Sequence, residues 1–256
     1  MREQFHAQVD NEFSGGHAWA TFHDRCRELI VSNRYTEVCE VGGGRTPLFM
    51  PGEVDELSLH YTILDISQTE LDHAPANYHV VRADISDLGI SGGYDFMFSK
   101  MLAEHVADGA AMHRNILRLL NPGGIAFHFF PTLYHPVFVV NRIMPELLSR
   151  TALLRLSSNR ASDSKFPAYY SQCYGPSARR RALYEAMGYQ VVEYRPFYGT
   201  AYLRRVPVLR SLEDAFGRVA AGRRSPHFSS YAWLILRKPA IAAMSPGQVP
   251  VAAPPR

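Results

Sequence analysis

Glu40-Val41-Gly42-Gly43-Gly44-Arg45-Thr46-Pro47 is the stretch on which the reading of the whole chain turns. It closes a short apolar run, Glu37 to Val41, that has the length of a buried strand. Three glycines in succession let a ligand come close to the backbone, and Thr46 followed by Pro47 has the pattern of a helix N-cap and first helical position. A strand, a glycine turn and a helix in that order imply a nucleotide-like ligand at the carboxyl edge of a parallel sheet. The dinucleotide pattern G-x-G-x-x-G would place its third glycine at position 47, which is proline. A phosphate-binding loop is excluded too, because no Gly-Lys-Ser/Thr follows the glycines.

Outward from this turn, apolar strands alternate with helical stretches, the signature of an α/β sheet covered by helices on both faces. Before it, Gly16 to Ser32 carries Trp19, Phe22, Cys26, Leu29 and Ile30 at helical spacing. After it, strands are expected at Tyr61 to Ile66, Tyr78 to Arg82, Tyr94 to Ser99 and Ile125 to Phe130. A helix from Asp108 to Leu120 should stop at Asn121-Pro122-Gly123-Gly124. Past Pro131 the alternation fails over a stretch rich in Pro, Tyr and Arg, too long for a plain connection, so a helical cap is expected over about 132–176, with its clearest helix at Pro136 to Leu154. A helix Ser177 to Met187, a strand Tyr189 to Arg195, a helix Val208 to Ala221 and a strand Tyr231 to Arg237 complete the pattern. The expected organisation is an N-terminal helical segment over 1–35, a sheet domain with its cap over 36–239, and a disordered tail over 240–256.

The 256 residues, 46% apolar and 20% charged, have the composition of an ordinary globular chain. No apolar run approaches the ~18 residues of a membrane helix, and the first residues lack the apolar core of a secretory signal, so a cytoplasmic location is expected. Cys26, Cys39 and Cys173 are odd in number and widely spaced, which suggests small buried hydrophobes and neither disulfides nor a zinc site. The net charge of +3 hides an asymmetry: residues 1–130 carry 9 Lys+Arg against 18 Asp+Glu, whereas 131–256 carry 18 against 6. A basic half of this kind suits an anionic partner, although arginine-favouring codon usage accounts for it equally well.

A carboxylate also closes each of the next two strands. Asp65 ends Ile63-Leu64-Asp65 and can accept both hydroxyls of a ribose, and Asp84 ends Val80-Val81-Arg82-Ala83-Asp84. With these in place, the stretch from Thr36 to Phe130 resembles the class I S-adenosylmethionine-dependent methyltransferases. EVGGGRT is similar to their first motif with Thr46 at the last glycine, ILD to the second station, RADISDL to the third, YDFMFSKMLAEHV to the fourth, and LLNPGGIAFHF to the turn into strand five. The resemblance implies a Rossmann-like doubly wound sheet, mostly parallel with an antiparallel last strand and a cap inserted after strand five. It also implies S-adenosyl-L-methionine as cofactor. Gly42, Gly43 and Gly44 would lie along its methionine end, Asp65 and Ile66 at the ribose, Asp84 and Ile85 at the adenine, Ser99 at the end of strand four, and Glu40 beneath the loop. Glu40 could equally just order the glycine turn.

Transfer of a methyl from a sulfonium is an in-line displacement, in which the protein aims the acceptor and removes a proton where the acceptor needs it. His105, beside Glu104 after strand four, and His135, in the turn after strand five, are the candidate bases. His105 has a second reading, packing on the cofactor or capping the next helix, and His128 alternates with core residues of its strand. No metal is expected, because Met101 stands where an acidic residue would precede Glu104-His105 in metal-dependent relatives. Tyr134, Tyr169 and Tyr170 suit the walls of an acceptor pocket, and Arg179 with its neighbours suits an anionic group or a solvated helix face. The apolar face of HPVFVVNRIMPELLSR suits packing over the site or peripheral contact with a membrane surface. A small organic acceptor methylated on oxygen is the leading expectation. An RNA methyltransferase, which would lack the Asn/Asp-Pro-Pro-aromatic motif and any added RNA-binding module, and a non-catalytic cofactor-binding protein are the rivals.

Overall fold

The computed structural model describes residues 12–143, 167–200, 207–223 and 225–240. The expected tail beyond Ala240, the continuation of the cap helix beyond Ile143 and the cap interior to residue 166 lie outside the described residues.

Seven strands form one sheet: β1 (Glu37–Val41), β2 (His60–Asp65), β3 (His79–Arg82), β4 (Tyr94–Lys100), β5 (Leu120–Pro131), β6 (Gln190–Phe197) and β7 (Tyr231–Arg237). Their order is β3-β2-β1-β4-β5-β7-β6. The pairs from β3 through β5 are parallel, and β7 runs antiparallel to both β5 and β6. The chain leaves β1 toward β2 and β3, then returns across it to build β4 and β5 on the other side. The order therefore reverses between β1 and β4, and at such a point the loops part and leave a crevice at the carboxyl ends of the strands.

Helix α1 (Gly15–Asn33) starts at Ser14, whose hydroxyl accepts from His17 N–H at 3.0 Å, and ends at Arg34 in the left-handed region, φ 57°. Ala18, Phe22, Cys26, Leu29 and Ile30 form its buried stripe, while Trp19 is 41% exposed at the rim. The Phe22 ring lies 4.7 Å from Phe127, 5.4 Å from Phe129 and 6.2 Å from Trp233, which fixes α1 across β5 and β7. The opposite face of β5 carries His128. Its Nδ1 shares a 2.8 Å hydrogen bond with Ser99 Oγ, and its ring packs edge-on to His113 of α4 (Gly109–Leu119) at 5.1 Å. Tyr184 of α6 (Ala178–Ala186) closes over His113 at 4.9 Å. Three further helices are α2 (Pro51–Glu56), α3 (Gln68–Leu71) and α5 (Pro136–Ile143), and α7 (Pro207–Gly222) lies between β6 and β7 in the chain. All three cysteines are buried and free.

Two local expectations need correction. Thr46-Pro47 opens no helix: Thr46 N–H turns back to Gly43 C=O, Leu48 N–H is taken by Glu40, and the helix begins only at Pro51. The helix does stop ahead of Asn121-Pro122-Gly123-Gly124, at Leu119, but the strand starts at Leu120, earlier than Ile125, so the four residues form a bend inside β5. Gly123 has φ 85°, and a β-carbon on Gly124 would lie 2.9 Å from the Asp95 carbonyl oxygen, so the strand runs through this bend only because glycine is there.

Burial pushes the His113 imidazole down to about 4, and burial together with His113 holds His128 well below the ordinary imidazole range. Both bind a proton more weakly in the folded chain than in the unfolded one, so their contribution to stability is complete above pH ~6.5 and is lost as pH falls below that value. For His113 the loss should amount to roughly 2 kcal/mol by about pH 5. Denaturant unfolding between about pH 7.5 and 5 should show this decline, and His113→Phe should flatten it. Equal slopes for the two proteins would contradict the assignment.

Candidate active site

The floor of the crevice is built on Glu40. This carboxylate is 4% exposed, and its Oε2 accepts the Tyr61 hydroxyl at 2.5 Å and Leu48 N–H at 2.9 Å. Burial raises its pKa to about 7 against the lowering effect of those two bonds. A β-carbon on Gly43 would lie 2.7 Å from the Glu40 carboxyl carbon, which explains why that position has no side chain. Glu40 therefore orders the glycine turn from below.

Gly42 and Gly44 are the two glycines of the turn with left-handed backbone, φ 79° and 47°. A β-carbon on Gly42 would lie 2.2 Å from Leu102 Cδ1, and one on Gly44 would lie 3.3 Å from Asp65 Oδ2. The loop is thus held between the chain after β4 on one side and the end of β2 on the other. Asp65 is half-buried, its Oδ1 accepts Ser67 N–H at 2.9 Å, and burial raises its pKa. Ile66 beside it is 54% exposed. Arg45 closes the rim with a two-pronged pair to Glu70 at 2.8 and 2.9 Å, which lowers the Glu70 pKa.

Asp84 is exposed and caps its own turn by accepting Ser86 N–H at 2.8 Å. Ile85 behind it is buried, and its carbonyl is held by the Asn115 amide at 2.7 Å. Glu40, the glycines, Asp65 and Ile66 come together, and Asp84 and Ile85 continue the same carboxyl edge beyond β3. Ser99 is a correction: the residue is fully buried between β1 and β5, and its hydroxyl is bonded to His128 on the sheet face away from α1, so its side chain is not offered to a ligand.

On the acceptor side, β4 ends at Lys100 and the chain turns at Met101, φ 55°. The short 3-10 turn Ala103–His105 follows. The Glu104 carbonyl accepts Tyr169 N–H at 2.7 Å and Tyr170 N–H at 3.0 Å, and Ser171 Oγ accepts Gly109 N–H at 2.9 Å. His105 Nδ1 lies 2.9 Å from the Pro167 carbonyl, which can only accept, so Nδ1 carries the proton and Nε2 is the basic nitrogen. Nε2 lies 3.8 Å from Glu104 Oε1.

The return of the chain from the cap is thereby seated on the turn after β4. Arg142 of α5 also donates to the Tyr169 carbonyl. Tyr134 and Tyr169 are about half exposed, whereas Tyr170 is 2% exposed and packs on Phe138 at 6.2 Å. His135 is 1% exposed between Phe138 and Phe216, and burial lowers its pKa to about 4. Arg179 is exposed on α6, which packs on β6 at the far edge of the sheet, and is not brought to the β1/β4 crevice. Among the described residues no three His, Cys, Asp or Glu side chains gather as a metal-binding group, and no helix is long and apolar enough to cross a membrane.

Sequence reasoning missed Leu102, the Arg45–Glu70 clamp and Lys100. Lys100 is placed there by strand register, Leu102 by the turn after β4 and Arg45 by its ion pair with Glu70, and none has a spacing signature of its own.

Residues 40–128 match the family model described as a methyltransferase domain. No curated protein matches the sequence. Among solved structures, the chain is similar to one assigned as a sarcosine dimethylglycine methyltransferase from Galdieria sulphuraria, with a TM-score of 0.53 and 13% identity over 86% of each chain. It is also similar to the [4+2]-cyclase SpnF, with a TM-score of 0.53 and 17% identity, covering 91% of this chain and 86% of that one. At these identities the two structures speak for the fold alone. Residues 40–128 thus carry a methyltransferase domain, and the glycine turn, the ordered stations along the sheet edge and the strand order are consistent with the class I S-adenosylmethionine-dependent methyltransferases.

Proposed function

We propose that the chain transfers a methyl group from S-adenosylmethionine to an oxygen of a small organic acceptor held beneath the cap. One observation carries this reading. The chain between β5 and α6 leaves the carboxyl edge at Pro131 and is seated back on the turn after β4 by Glu104, Ser171 and Pro167. The described ends of that insertion therefore stand at the edge next to the crevice, an arrangement suited to enclosing a small molecule and excluding water from it.

The crevice suits the cofactor in its lining, with a bare glycine main chain, which Leu102, Glu70 and Asp65 keep free of side chains, running beside the Asp65 carboxylate at the carboxyl edge. S-adenosylmethionine supplies an electrophilic methyl on a sulfonium. Asp65 would bind the ribose hydroxyls, Gly42 to Gly44 would lie along the methionine end, and Ile66, Asp84 and Ile85 would border the adenine. Tyr134 and Tyr169 would line the acceptor side, with Tyr170 supporting them from the core. His105 is the favoured base, because its protonated Nδ1 is fixed and Nε2 is the nitrogen that can take a proton from the acceptor. His135 is a poorer one, since a conjugate acid with a pKa of about 4 holds a proton weakly at neutral pH.

The reading is tested by incubating the protein with methyl-labelled cofactor and a whole-cell extract, then searching its small-molecule and RNA fractions by mass spectrometry for a methylated product. Label confined to RNA would favour the RNA reading, and tight cofactor binding with no labelled product would favour a non-catalytic role. With an acceptor in hand, His105→Ala should lower kcat about 100-fold or more with S-adenosylhomocysteine affinity unchanged. An unchanged kcat would remove His105 from proton transfer. Asp65→Ala should weaken cofactor binding by roughly 1.5 to 3 kcal/mol, the scale of hydrogen bonds to a charged group. Asp84→Ala should cost less, because that carboxylate is exposed and already engaged by Ser86. Calorimetric titration of both variants reads the difference, and equal losses would contradict it.

A further inference from the structure

Lys100 is the last residue of β4, and its position is fixed by register. Val41 and Ser99 are partners across β1 and β4, so Lys100 stands level with Gly42 where the two strands part. The next residues confirm the proximity, since Leu102 lies against Gly42. The side chain alternates onto the α1 face with Phe98, and Nζ sits 4.8 Å from the Trp19 ring centroid and 5.8 Å from that of Phe22.

This ammonium is half-buried, and desolvation lowers its pKa. Among the described residues no carboxylate forms an ion pair with it. Glu40 acts on it through the charge field only, and Glu40 Oε2 is already occupied by Tyr61 and Leu48. A desolvated cation normally has a counter-charge, and an aromatic face replaces it only in part. Glu40 is the one carboxylate among the described residues whose field acts on it, while Asp65 and Glu70 lie at the β2 end of the loop, close to Gly44. One ammonium in such a field matches a singly charged anion and disfavours a phosphate dianion.

We propose that Lys100 is the carboxylate-binding group of the crevice. Its partner is the carboxylate of the cofactor's methionine end or that of a carboxylic acid acceptor, and either would reach Nζ beside Trp19 at the open end of the β1/β4 crevice. The proposal rests on the cofactor-binding reading given above, and the experiment separates failure of the two.

Lys100→Met keeps an unbranched stem on Trp19 and removes the charge. S-adenosylhomocysteine and 5′-methylthioadenosine are titrated into both proteins at low salt. The second ligand has the adenosine and thioether without the amino-acid carboxylate. If neither ligand binds the unsubstituted protein, the cofactor-binding reading itself has failed. If Lys100 binds the methionine end, the variant loses about tenfold or more in S-adenosylhomocysteine affinity and binds 5′-methylthioadenosine as before, which also shows that the variant is folded. If Lys100 binds the acceptor, S-adenosylhomocysteine affinity is unchanged. In that case simple hydroxycarboxylates, but not their amides, raise the melting temperature of the homocysteine complex in the unsubstituted protein and not in Lys100→Met. Unchanged S-adenosylhomocysteine affinity with no carboxylate-dependent stabilisation overturns the proposal and leaves Lys100 a buttress for the aromatic wall.

Discussion

A single buried carboxylate holds the working edge of this protein in shape. Glu40 lies under the glycine turn, receives a phenol from β2 and an amide from the chain beyond the turn, and leaves no room for a side chain on Gly43. Burying a carboxyl group is costly unless its oxygens are bonded, and the two bonds that Glu40 accepts are what force residues 42–48 into a compact loop. The left-handed backbone at Gly42 and Gly44, the clamp of Arg45 on Glu70 and the contact of Leu102 with the loop all depend on that shape. A pKa near 7 makes this support sensitive to its surroundings, since a cation placed above the loop would favour the ionised form.

The sheet could be read from the sequence wherever strand and face were encoded locally. β1 and β7 are dense apolar runs bounded by polar residues, and they fall at Glu37–Val41 and Tyr231–Arg237 as their composition indicates. The errors arose where a tertiary contact overrides a local pattern. Thr46-Pro47 has the chemistry of a helix start, but Glu40 captures the Leu48 amide and defers the helix to Pro51. Asn-Pro-Gly-Gly does end the helix at Leu119, but Leu120 already pairs with Tyr94 of β4, so β5 starts before the bend and its register shifts across it.

The site shows the same division. Glu40, the glycines and Asp65 announce themselves because a ligand loop needs those residue types at strand ends. Ser99 announced itself by position only, and its hydroxyl proves to serve the His128 side of the sheet. The basic second half, suggestive as a charge count, is partly absorbed inside the fold: Arg180 stacks on Tyr174 at 3.7 Å and Arg181 donates to the Val191 carbonyl. Charge totals report composition and say little about which cations remain available.

The seat of the cap after β4 is made largely of main-chain groups. The Glu104 carbonyl takes two consecutive amides, Leu133 N–H bonds to the Cys173 carbonyl, and the turn at Tyr170 and Gln172 is held in left-handed backbone. Bonds between backbones do not read side-chain identity. The anchors can therefore persist while the sequence between them drifts in length and composition, and the floor of the crevice need not change with it. Such a chain can exchange one roof for another over a constant foundation, so its specificity can diversify without renegotiating its stability.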